Sequence, residues 1–308
     1  KGSPGMKGII ELFSDYTFQI VALGTGLLGV VSGVLGTFTV LRRQSLLGDG
    51  ISHAALPGVV IAFLLTGTKN TEVLLFGALI AGLIVSFLIT LVTRYTRVKF
   101  NTALAVFLSV FFGLGLALLS YAQRHPNANQ AGLSRFIYGQ ASTFLARDVW
   151  IVAIAGLFVL ILVFLFWKEL KVFTFDPTFA QSLGYSRTRL DMIMNLLLVV
   201  SIVIGLQAVG VILMSAMFIA PSVAARQWSK SLGGMVLLSA IFGAMSGVLG
   251  TLVSSAYANL PTGPVIVVCA SIIAGISLLF APGRGLVHSF YRRYKARKEM
   301  KGKQALNA

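Results

Sequence analysis

Between Asp191 and Arg226 the chain runs for 34 residues without a charge. Runs of this kind recur along the sequence and constrain its fold more than any other feature. A helix needs about 20 apolar residues to cross the hydrocarbon core of a bilayer. In lipid it is also one of the few structures that satisfies all its own backbone hydrogen bonds. The charge-free runs predict spans near 16–41, 50–68, 73–93, 102–121, 150–167, 192–214, 232–259 and 264–281. The stretch 192–225 is too long for one pass and short for two, and Pro221 lies near its end. It predicts a full helix over 192–214 and a short or broken segment over 215–225. Only 11% of the residues are charged, where a soluble domain carries about 25%. The chain therefore reads as an all-α polytopic membrane protein, a bundle of eight to nine transmembrane helices.

Its basic residues set the orientation. Segments at 42–43, 94–99, 168–189, 226–230 and from 284 onward hold 19 of the 25 Lys and Arg residues. The positive-inside rule makes that side cytoplasmic, which places the N-terminus outside and the C-terminus inside. The net charge of +16 is thus a membrane pattern, and nucleic acid is not an expected partner. Residues 1–5 (KGSPG) read as an expression remnant ahead of Met6. Residues 6–283 form one transmembrane domain, and 284–308 a basic cytoplasmic tail that touches anionic lipid at most. Cys269 is the only cysteine, so no intrachain disulfide and no thiolate cluster can form.

One stretch places ionisable groups inside a span: LLGDGISHAALPG at 46–58. Asp49 and His53 are four residues apart, on one face of a helix. Intramembrane ionisable residues are costly and mark function by default. A carboxylate oxygen beside an imidazole nitrogen suits a divalent first-row ion such as Mn²⁺, Fe²⁺ or Zn²⁺. The plainer reading makes Asp49 an N-cap and His53 a buried neutral histidine. Two donors are an incomplete shell, so a two-fold partner, water or other helices must supply the rest. His125 and His288 read as solvated, Met214 and Met217 as packing, and Gln207 and Asn259 as interhelical hydrogen-bonding groups.

Two further patterns bear on organisation. SGVLGT occurs at 32–37 and again at 246–251, with glycines spaced to line one face of each helix and let backbones approach. FTFDPTFAQSLGYSRTRLD at 173–191 places Asp176 as N-cap and Pro177 in the first turn of a short helix. Phe179, Ala180 and Leu183 form its apolar stripe and Gly184 ends it.

LRRQSLLGDGISHAALPG, FDPTFAQSLGYS, MFIAPSVAARQW and LPTGPVIVV together resemble the permease subunit of metal-type ATP-binding-cassette importers, from about residue 18 to 281. The resemblance implies a homodimer of the type II importer kind in the bacterial plasma membrane. It also implies a cytoplasmic ATPase dimer and an extracellular metal-binding lipoprotein or periplasmic protein. Residues 175–184, with Asp176, Phe179, Ala180, Gln181, Leu183 and Gly184, become the coupling helix to the ATPase. Asp49 and His53 become the site of the transported ion, manganese in preference to zinc or iron, with no cofactor held permanently. The chain has no G-x-x-x-x-G-K-[ST] phosphate loop, so ATP must be hydrolysed on a partner. The rival readings are a proton-coupled secondary carrier, which would show paired broken helices in two repeated halves, and an intramembrane metalloenzyme, which would need a third protein ligand.

Overall fold

The computed structural model describes residues 15–67, 70–123, 145–257, 260–282 and 285–288. Among them are eleven helices: α1 (Tyr16–Leu41), α2 (Leu47–Thr66), α3 (Thr71–Tyr95), α4 (Phe100–Ala122), α5 (Ala146–Leu165), α6 (Trp167–Phe175), α7 (Pro177–Ser182), α8 (Arg187–Val209), α9 (Val211–Trp228), α10 (Leu232–Ala256) and α11 (Thr262–Phe280). Eight of these, all but α6, α7 and α9, are long and apolar enough to cross a membrane. Side-chain caps start several of them: Asp15 accepts from the Thr17 amide, Asn70 from that of Glu72 and Ser231 from that of Gly234. Each satisfies one of the amides that a helix start leaves open.

The uncharged stretch after Asp191 breaks at Gly210, a few residues earlier than the sequence suggests. Gly210 has φ +85 and ψ 167, backbone space that essentially only glycine occupies. The end of α9 returns to the side where α8 began. Ala225 of α9 packs with Val40 near the end of α1 and Met235 near the start of α10, while Asp191 near the start of α8 pairs with Arg42 at the end of α1. Pro221 lies inside α9 without ending it. In membrane helices the carbonyl that proline frees finds other partners.

α1, α2 and α8 form the centre, and α4 is the most exposed of the spanning helices. Leu35, Phe38, Ile51, Val199, Leu206 and Phe218 belong to one buried cluster. Helix association in lipid has no water to expel, so close backbone approach does much of the work. In the antiparallel α1–α10 seam, a Cβ on Gly29 would lie 2.1 Å from the Gly243 carbonyl oxygen, and one on Gly33 2.3 Å from that of Ser239. The hydroxyls of Thr25 and Thr251 meet at 3.0 Å. Ser239 donates to the Gly33 carbonyl at 2.7 Å and shares a 2.9 Å bond with Ser222 of α9.

Both SGVLGT motifs are packing faces, but they do not pair with each other. Their first glycines, Gly33 and Gly247, face the α1–α10 seam. Their second glycines turn to a third helix, Gly36 to Phe218 of α9 and Gly250 to Ile266 of α11.

Candidate cation site and loop helix

The α1–α2 turn positions the first site. Arg43 adopts φ +58, a conformation costing a non-glycine residue about 1–2 kcal/mol. The turn is pinned by backbone bonds from the Gln44 amide to the Thr39 carbonyl (2.8 Å) and from the Leu47 amide to that of Gln44 (2.9 Å). α2 starts at Leu47, its N-cap residue Leu46 makes no side-chain capping bond, and Asp49 falls in its first turn. The N-cap reading of Asp49 is therefore corrected: the turn after α1 is tighter than the glycines suggest, and the helix begins two residues before the aspartate.

Asp49 and His53 come together as their spacing predicts. Asp49 Oδ1 lies 3.4 Å from His53 Nε2, long for a charge-assisted hydrogen bond. Two donors each about 2.1 Å from one ion lie ~3.4 Å apart at the tetrahedral angle, so the pair fits two corners of one coordination shell. The His53 ring meets Phe112 of α4 edge to face, centroids 4.6 Å apart. Its Nδ1 is buried without a hydrogen-bond partner among the described residues. The Asp49 side chain is 33% exposed and that of His53 17%, so the pair opens at its carboxylate. No cluster of three His, Cys, Asp or Glu residues occurs among the described residues.

Met214 and Met217 are buried in the core, Met214 over Gly205, which is packing. His288 is exposed. His125, Asn259, the Gln207 side chain and most of the basic tail lie outside the described residues.

The second site is the loop between α5 and α8. Asp176 Oδ1 accepts from the amides of Thr178 and Phe179, both at 3.0 Å, and from the Thr178 hydroxyl at 2.5 Å. The Thr178 hydroxyl first, and then the Phe179 amide, hold this carboxyl below its ordinary pKa. Pro177 occupies the first turn as expected. The helix ends at Ser182, so Leu183 and Gly184 lie beyond it, and Gly184 makes the closing turn with φ +87.

The expected stripe divides. Ala180 is buried against Phe173 of α6 and Leu190 of α8, whereas Phe179 and Leu183 are more than half exposed, as is Phe175. Gln181 instead reaches a cavity of about 450 Å³ that it shares with Gln44, Thr93, Arg187 and Asp191.

Two elements of these sites escape sequence reasoning. Phe112 becomes a partner of His53 only through the register of α4 against α2, which no local pattern encodes. The Arg42–Asp191 ion pair does leave a trace, because both charges abut long apolar runs where an unpaired charge is costly.

The zinc transport system membrane protein TroC of Treponema pallidum is 50% identical over 288 residues, spanning 94% of this chain and 97% of that protein. The manganese transport system membrane protein MntC of Bacillus subtilis is 43% identical over 290 residues, spanning 94% of this chain and 67% of that one. The structure of PsaBC from Streptococcus pneumoniae in complex with Fab superposes with a TM-score of 0.80 at 31% identity, covering 91% of this chain and 98% of that one. The ABC 3 transport family model matches residues 14–281, and the chain belongs to that family.

Proposed function

We propose that the chain is the membrane-spanning permease subunit of an ATP-driven importer for divalent transition-metal ions. The observation that carries this reading is the Asp49–His53 pair, two metal-compatible donors 3.4 Å apart in a membrane helix of a family whose relatives are named for zinc and manganese transport. One oxygen and one nitrogen suit first-row divalent ions, and manganese remains the preferred cargo. The proton-coupled carrier is not the reading that the family supports.

The protomer supplies two donors, so a second copy of the chain completes the assembly around the pathway. The exposed apolar side chains of Phe175, Phe179 and Leu183 project from the cytoplasmic loop and suit docking of an ATPase, which hydrolyses the ATP. An extracellular binding protein delivers the ion. Closure of the ATPases moves the loop helices, and the bundle opens the site first outward and then inward. Weak, partial coordination lets the ion leave, and no covalent chemistry takes place on this chain. The assembly sits in the bacterial plasma membrane with its C-terminus in the cytoplasm, and residues 6–283 form its transmembrane domain.

The test is uptake of radioactive Mn²⁺ by cells expressing the whole importer, with zinc and iron as competitors and membrane levels matched. Asp49→Asn and His53→Ala are each expected to cut uptake roughly ten-fold or more, the least that loss of a direct ligand should cost when outer-shell changes cost that much. Uptake at the wild-type rate in both variants would remove the cation site from α2.

A further inference from the structure

Arg42 joins structural features that the proposed mechanism leaves unconnected. Its backbone closes α1, and its side chain, only 11% exposed, pairs with Asp191 at the start of the second turn of α8. Its guanidinium carbon stands 4.6 Å from the centroid of the Phe173 ring. Phe173 is 1% exposed and packs with Ala180 of the loop helix α7 and with Leu190 of α8. Arg187, four residues before Asp191, approaches its other carboxylate oxygen at 3.8 Å. The contact thus ties α1 to α6 and α8, the two elements that seat the loop helix. On its other side Arg42 opens the pinned turn that ends at Leu47, and Asp49 lies in the helical turn that follows.

We infer that Arg42 is a positioning residue for transport: it relays displacement of the loop helix α7, through the Phe173 ring and Asp191, to the first turn of α2 and so to Asp49. This inference rests on the reading of α7 as the ATPase contact and of Asp49–His53 as the cation site. Its physical basis is geometric. Arginine can stack on a ring and fork to a carboxylate at the same time, which lysine cannot reproduce. The α1–α2 turn is held by backbone bonds at 2.8 and 2.9 Å, so movement of Arg42 carries the start of α2 with it.

The experiment reconstitutes the whole importer in liposomes, permease with its ATPase and extracellular binding protein, and measures radioactive Mn²⁺ uptake and phosphate release together. The readout is metal moved per ATP hydrolysed, which a change in the amount of folded protein does not alter. Arg42→Met removes both contacts, Arg42→Lys keeps only the charge, and Phe173→Leu removes the ring while keeping an apolar side chain. The ratio is expected to fall roughly two- to thirty-fold in Arg42→Met and Phe173→Leu, the span seen for residues that carry coupling between sites. Arg42→Lys should fall between these and wild type.

If Arg42→Met fails to reach the membrane, Phe173→Leu and Arg42→Lys decide. A wild-type ratio in the variants that assemble overturns the relay, as does a parallel fall of uptake and hydrolysis that leaves the ratio unchanged. Asp49→Asn, run alongside, separates the two ideas. Normal uptake there removes the cation site, while the Arg42 ratio still decides whether the loop helix drives α2. A wild-type importer that moves neither Mn²⁺ nor Zn²⁺ overturns both.

Discussion

Burial separates two ion pairs of the same chemistry. Arg147 and Glu72 pair at one end of the bundle with side chains 69% and 51% exposed, and exposed pairs contribute about 0–1 kcal/mol. Arg147→Ala should therefore shift unfolding by less than ~1 kcal/mol, as read by thermal denaturation in detergent. Arg42 and Asp191, at 11% and 18%, have far less water to fall back on, which is why Arg42 carries more structural consequence than its position in a basic loop suggests. Asp176 gives a pH prediction. Its folded pKa is depressed by the Thr178 hydroxyl and the Phe179 amide, so the cap's contribution is complete above the ordinary carboxyl pKa and is lost as pH falls through the lower, folded value. In an NMR titration of isotope-labelled aspartate, Asp176 should titrate below the ordinary carboxyl value, leaving the loop helix capped at neutral pH. A midpoint at or above the ordinary value would show that the cap does not persist in solution.

At the scale of elements, the α1–α10 seam and the open face of α11 predict opposite responses to one methyl group. A Cβ at Gly243 would lie 2.0 Å from the Gly29 carbonyl oxygen, while one at Gly275 meets nothing within 4 Å. Gly243→Ala should cost about 1–3 kcal/mol or more, because backbone must move to admit it. Gly275→Ala should be neutral or stabilising by up to ~1 kcal/mol from helix propensity. Equal melting temperatures for the two variants would mean that the seam is looser than its geometry. These elements also show what was legible. The spans were readable because a charge-free run of sufficient length has few other fates, and the α7 start because Asp-Pro offers a cap and a fixed φ together. The start of α2 at Leu47 and the break at Gly210 were not, because many glycines in this chain could mark an end and only tertiary packing selects among them. The SGVLGT repeat disclosed a packing face but not its partner, since small residues specify close approach without naming what approaches.

For the whole molecule, Asp49 and His53 were legible as a pair because helical geometry alone joins residues four apart, whereas Phe112 and Arg42 act across helices far apart in sequence. The orientation expected from the basic residues is open to direct test. In a Cys269→Ser background, Glu72→Cys should react with an impermeant thiol reagent on intact cells, and Arg189→Cys only after permeabilisation; the reverse pattern would invert the molecule. The seam between α1 and α10 also bears on how the protein is made. Thr25 and Thr251 are 226 residues apart, and at about 5–20 residues per second the ribosome needs roughly 10–45 s to supply the second after the first. For that interval α1 waits in the bilayer with its glycine face uncovered and the Thr25 hydroxyl lacking its distant partner. Biogenesis must therefore shelter an early helix until a late one arrives, and chains halted before α10 should be poor survivors of membrane quality control.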